Sequence, residues 1–155
     1  MTDTHRSALR YTADITAEDI DGLARFIARR IVLLREGAGP SGSEEERIGE
    51  ALSQTVAALT GSAREVLGAL ADRAAEAGAA AAAEPGAEAA PEEGGDGGAV
   101  EELMVRLSGL WRYLLTAAEA WSHLPDYDVA RWRLDGHLDA EHEARDRWLA
   151  GGGAW

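Results

Sequence analysis

The 155-residue chain has no cysteine, no lysine and no asparagine. Without cysteine it forms no disulfide, no thiolate nucleophile and no cysteine metal site, and nothing in it speaks for an oxidising compartment. Without lysine it makes no Schiff base and lacks the lysine of a phosphate-binding P-loop. All 15 basic residues are arginine, which together with heavy use of alanine and glycine reads as the codon bias of a GC-rich bacterial genome. Bulky aromatics are few: one Phe, three Tyr and five Trp, so a core has to come from Leu, Ile, Val and the tryptophans. No run approaches the roughly 18 apolar residues of a membrane span, and residues 1–10 are polar where a signal peptide would be apolar. A soluble, cytoplasmic protein with no membrane contact is the expectation.

What is present in excess is acid, but unevenly. The net charge of -13 divides into -3 for residues 1–73, -8 for residues 74–105 and -2 for residues 106–155. The middle stretch has eight acids and no base. The remainder is nearly balanced, so the charge describes one segment rather than a face of the folded body. It disfavours binding to a phosphate backbone, and no nucleic acid partner is expected.

The clearest signal is helical. Val100, Leu103, Met104, Leu107, Leu110, Trp111, Leu114, Ala118 and Trp121 recur at steps of three and four, which puts them on one face of a helix. Ile20, Leu23, Ala24, Ile27, Ile31 and Leu34 make a second such stripe behind Thr16 and Asp19, a capping pair, and Gly37, Gly39, Pro40 and Gly42 end it. Ser43 and Glu46 form a capping box for a third. Its stripe runs Ile48, Leu52, Val56, Leu59, Ala63, Val66, Leu70, Ala74 and keeps phase through Gly61, which favours one long helix, with a kink at Gly61 allowed. Residues 78–98 contain only small, acidic and turn-forming residues apart from a possible helical extension at Ala79–Ala83. They cannot bury enough surface to offset ordering entropy. Beyond Pro125, residues 128–149 make a more weakly patterned fourth helix with Val129, Trp132, Leu134, Leu138, Trp148 and Leu149.

The expected fold is therefore all-α, a small bundle of about four helices interrupted by a long disordered acidic loop. It has a flexible arm at 1–15, a first helical pair at 16–77, a linker at 78–98, a second pair at 99–149 and a flexible tail at 150–155. The helices within the pairs are expected at about 16–36, 44–77, 99–123 and 128–149.

Chemistry-bearing residues gather in two places. Trp121, His123, Asp126, Tyr127 and Trp132 surround a Pro turn, where His and Asp three apart could orient each other between aromatic walls. The same composition serves a structural corner, with apolar bodies inside and polar tips in water. His137 and Glu141 are four apart and share a helix face, as two ligands of a divalent metal would, but His142 lies on the other face with Asp139 and Asp146. No His-Glu-x-x-His and no second Glu-x-x-His accompanies them. Gly-x-Ser-x-Gly is absent, and Gly94-Gly95-Asp96-Gly97-Gly98 is acidic where a phosphate loop needs to attract anions. No catalytic residues and no cofactor are assigned.

Asp21-Gly22-Leu23-Ala24-Arg25-Phe26-Ile27-Ala28-Arg29-Arg30 together with His123-Leu124-Pro125-Asp126-Tyr127 and Trp132 resembles small actinobacterial proteins of unknown function. Those open on a Phe-x-x-Ala-Arg helix and end on His-Pro-Asp-Tyr and a Trp. Here Leu124 stands between His and Pro and the chain continues past Trp132. The resemblance implies no activity.

The expectation for function is a non-enzymatic helical interaction or regulatory protein whose partner is another protein. A second copy of the chain, in a homodimer, is included, because the apolar residues of 128–149 and Trp155 exceed what one intramolecular contact could cover. The alternative is a small-molecule or metal-binding helical protein, an enzyme included, using the corner around His123 and Asp126.

Overall fold

The computed structural model describes residues 12–37, 43–83 and 97–132. A 3-10 turn, Thr12–Asp14, leads into three α-helices: α1 (Ala17–Glu36), α2 (Glu44–Ala83) and α3 (Gly97–Glu119). Every pair of these helices is in contact, and no strand occurs among the described residues. Each start follows from local chemistry. Thr16 and Asp19 form a full capping box, with the Asp19 N–H donating to Thr16 Oγ1 at 3.2 Å and the Thr16 N–H donating to Asp19 Oδ2 at 2.9 Å. Ser43 Oγ accepts the Glu46 N–H at 3.2 Å, and Glu44, Glu45 and Glu46 occupy the first turn of α2, where the helix dipole favours acids.

α1 and α2 run antiparallel. Arg64 of α2 reaches Asp21 near the start of α1 at 2.6 Å, and Glu50 near the start of α2 lies 3.3 Å from Arg35 near the end of α1. Gly49 permits this close pairing, since a Cβ there would stand 2.8 Å from Arg35 Cγ. α2 passes through Gly61 without interruption and continues to Ala83. With 40 residues it is about 60 Å long at 1.5 Å per residue, roughly twice the length of α1.

The core collects the expected stripes. Ile20, Leu23, Ile27 and Ile31 of α1, Val56, Ala63, Val66 and Leu70 of α2, and Val100, Met104, Leu107, Trp111, Leu114 and Ala118 of α3 are all buried. Phe26 and Leu115, outside the stripes, are buried as well. Leu115 follows Leu114 on the flank of α3, and Phe26 is covered by the chain beyond α3.

Several expectations change. Leu34 and Ile48, counted as stripe residues, are 56% and 59% exposed. They sit at the end of the α1–α2 hairpin, on sides of the two helices that face away from the core, while Arg35 and Glu50 pair across the hairpin beside them. α2 takes in six residues beyond 77, because the alanines from 79 have the highest helix propensity and no reason to stop. α3 starts at Gly97 and ends at Glu119, short of His123. Residues 128–132, expected to open a fourth helix, form turns. The rest of that helix, the acidic stretch 84–96, the arm 1–11 and the tail 150–155 lie outside the described residues.

Candidate functional site

Beyond Glu119 the chain makes a series of tight turns, with the Ser122 N–H on the Glu119 carbonyl (3.0 Å), Leu124 on Trp121 (3.1 Å) and Tyr127 on Leu124 (3.0 Å). It then runs back along α1 as a strap: Asp126 pairs with Arg30, Tyr127 packs on Phe26, Trp132 lies on Phe26 and beside Gly22, and Arg131 pairs with Asp19. Asp128 organises the last turn. Its carboxylate accepts the N–H groups of Ala130 (3.1 Å) and Arg131 (3.0 Å), and its carbonyl accepts that of Trp132 (2.7 Å).

Three rings form the apolar part of the strap. Phe26, Tyr127 and Trp132 contact one another with centroids 5.2 to 5.6 Å apart in tilted and edge-on arrangements, the geometry the aromatic quadrupole prefers. The Tyr127 hydroxyl donates to the Trp132 carbonyl at 2.6 Å, and burial, with Glu119 nearby, holds its pKa above the ordinary value. The Arg30 guanidinium lies 4.9 Å above the Phe26 ring.

The polar part is a buried ion pair that the sequence did not single out. Arg131 Nε donates to Asp19 Oδ1 at 2.9 Å, its Nη2 reaches Asp19 Oδ2, and Nη2 also donates to the Asp14 carbonyl at 3.1 Å. The side chains are 9% and 1% exposed. Burial by itself would raise the Asp19 pKa. Hydrogen bonds from Arg131 and from the Thr16 hydroxyl and amide, with the Arg131 charge, outweigh it and hold the carboxyl below its ordinary 3.8. The hydrogen bonds to Asp19 hold the Arg131 guanidinium above its ordinary range. Asp19 is thus the capping residue of α1 and the anchor of the strap.

A depressed acid stabilises the fold fully above its unfolded pKa, and that contribution is lost as pH falls through the folded value. Stability of the wild type should therefore fall as pH drops below about 3.8, the ordinary Asp value. Urea midpoints measured from about pH 6 down to about pH 2 should show an acid limb that is shallower in Asp19→Asn. Parallel limbs in the two proteins would mean that Asp19 is not held in its ionised form by the strap.

The residues singled out from the sequence are only partly brought together. Tyr127 and Trp132 touch, Trp121 packs half-buried against the core, and His123 is exposed. Asp126 bonds Arg30 of α1 and shares no hydrogen bond with His123. His137 and Glu141 lie outside the described residues. Among the described residues no group of three or more His, Cys, Asp or Glu is placed to hold a metal, and no helix is long and apolar enough to cross a membrane.

A second concave feature lies between α1 and α2. It is a groove of about 530 Å³ floored by Ile31 and Val56, with Ala24, Ala28 and Ala57 on its walls. Asp21, Arg25 and Arg64 also line it; Arg64 donates to Asp21 Oδ1 from both Nε (2.8 Å) and Nη2 (2.6 Å). In class, the protein is an all-α bundle in which a C-terminal strap is locked to the first helix. No family model, curated protein or solved structure matches the chain.

Proposed function

We propose that the protein is a non-enzymatic interaction protein that binds another protein through the apolar end of its α1–α2 hairpin. The observation behind this reading is the exposure of Val32, Leu33, Leu34 and Ile48, each at least half exposed, where α1 ends and α2 begins. Three consecutive large aliphatics cannot all face one core, and large apolar groups exposed close together are a mark of interaction surfaces. Arg35, Glu36 and Glu46 stand around Val32 and give the patch a charged rim of both signs, the usual frame of a protein contact. A second copy of the chain is one candidate partner. Trp132 is buried, which subtracts it from the apolar surplus of the C-terminal third that favoured self-association.

The double substitution Leu33→Asp/Leu34→Asp tests the reading, because both side chains are exposed and the fold should tolerate the change. Light scattering and quantitative pull-down from the native host should show an assembly with wild type that the variant loses. Equal behaviour of the two proteins would end this assignment. The rival, a ligand at the strap, meets three rings that already contact one another and an Asp126 already engaged by Arg30. Stoichiometric metal in the purified protein, or a ligand-induced thermal shift abolished by His123→Ala, would favour that rival.

A further inference from the structure

We propose that the protein partner lays an amphipathic helix along the α1–α2 groove, with its apolar ridge on the groove floor and an acidic flank on Arg25 and Arg29. The inference rests on the hairpin end being a binding surface and names what that surface receives.

Two antiparallel helices leave two seams between them. α3 contacts both α1 and α2 and so fills one. The groove is the other, since Ala28 and Ala57 on its walls are exposed while Ile31 and Val56 at its floor are buried. A trough open along its length covers a small molecule on one side only, whereas small-molecule sites enclose most of their ligand's surface. A helix lays a single ridge of side chains into such a seam, and small walls let its backbone come close. From Asp21 to Ile31 the groove runs about 15 Å along α1, close to three turns of an occupant lying nearly parallel to it. Val32 follows Ile31 and lies one turn beyond Ala28, so the groove opens onto the exposed aliphatics of the hairpin end.

Charge selects the occupant. Arg25 lines the groove, and Arg29, one turn on, continues its outer edge; both are exposed. Arg25 donates through Nε to the Asp21 carbonyl of its own helix, and neither arginine meets a carboxylate among the described residues. Arg64, across the groove, is already on Asp21. Beside it α2 offers Ala57 and Gly61, which carry no charge. In a chain of net charge -13, two unpaired arginines on one edge are a local exception to the overall field. Carboxylates at the same four-residue spacing match them, and one flank of a helix provides that spacing.

The probe is a fluorescein-labelled helical peptide of about 18 residues, with leucine and alanine along one face, glutamate at four-residue spacing on one flank and glutamine elsewhere. Fluorescence anisotropy with the full-length protein should show it binding about tenfold more tightly than the same peptide carrying lysine for glutamate. The field of the whole chain favours the lysine peptide, so this preference reads the local arginines. Arg25→Glu/Arg29→Glu should reverse it, and Ala28→Trp/Ala57→Trp, which fills the groove, should weaken the glutamate peptide at least about tenfold. All four side chains are exposed, so both variants should keep the urea midpoint of the wild type. Absence of binding, or equal or lysine-favouring binding by the wild type, would overturn the proposal, as would binding indifferent to the arginine pair or to the tryptophans. The hairpin end is read separately. An assembly with the host partner that is lost in Leu33→Asp/Leu34→Asp but kept in Ala28→Trp/Ala57→Trp leaves that surface standing and overturns the groove, and one kept in both variants removes both.

Discussion

Replacing Arg131 by alanine should lower the stability of the protein by about 3–5 kcal/mol, the range for breaking a buried pair by removing one partner. The Asp19 carboxylate would stay 1% exposed and lose both hydrogen bonds from Arg131, and a buried charge that loses its counter-charge is among the costliest states a core can hold. Removing Arg131 also removes its hydrogen bond to the Asp14 carbonyl and loosens the turn that holds Trp132 on Phe26. Near-UV circular dichroism from the ring cluster should weaken along with the urea midpoint. A double-mutant cycle with Asp19→Ala should be strongly non-additive, since the second change removes the stranded charge that made the first so costly. A midpoint for Arg131→Ala within error of wild type would show that the strap is not locked to α1 in solution.

Replacing Trp111 by alanine should cost about 3–5 kcal/mol, the range for truncating a large buried aromatic. Trp111 lies in the middle of α3 at 4% exposure, surrounded by the core. The core it belongs to is built from three helices, which cannot collapse into the space together. Its indole Nε1 is buried with no hydrogen-bond partner among the described residues, a donor left unsatisfied at a cost of about 1–3 kcal/mol. Trp111→Phe gives up area but removes that donor, so it should lose far less than Trp111→Ala. Denaturant melts of both variants check this. An alanine variant as stable as the phenylalanine one would mean the side chain is not packed as described.

Helix positions were readable from the chain because they depend on near-neighbour chemistry. The three-and-four spacing from Val100 to Ala118 placed α3, and Thr16 with Asp19 and Ser43 with Glu46 marked the starts of α1 and α2. Continuity through Gly61 followed from the phase of the stripe, and a Cβ at Gly61 would meet nothing within 4 Å. The strap was half readable. A Pro turn flanked by Trp121, Tyr127 and Trp132 promised an aromatic corner. Its actual chemistry was not readable, because His123 and Asp126 are near in sequence while Asp126 spends its charge on Arg30, far away along the chain.

By itself, then, the sequence determined that the protein is helical, where its first three helices lie to within a few residues, and which stripes must be hidden, since propensity, capping and periodicity act within a few residues. Only the tertiary structure decided which ends of those stripes stay bare, as at Leu34 and Ile48, and which polar residues meet. Asp19 and Arg131 each look like ordinary surface residues in a sequence with many arginines and acids. Burial of the pair, and with it the lock that holds the strap, arises when α1 and the chain after α3 are brought side by side, because a contact spanning 112 residues leaves no trace in the spacing of either one.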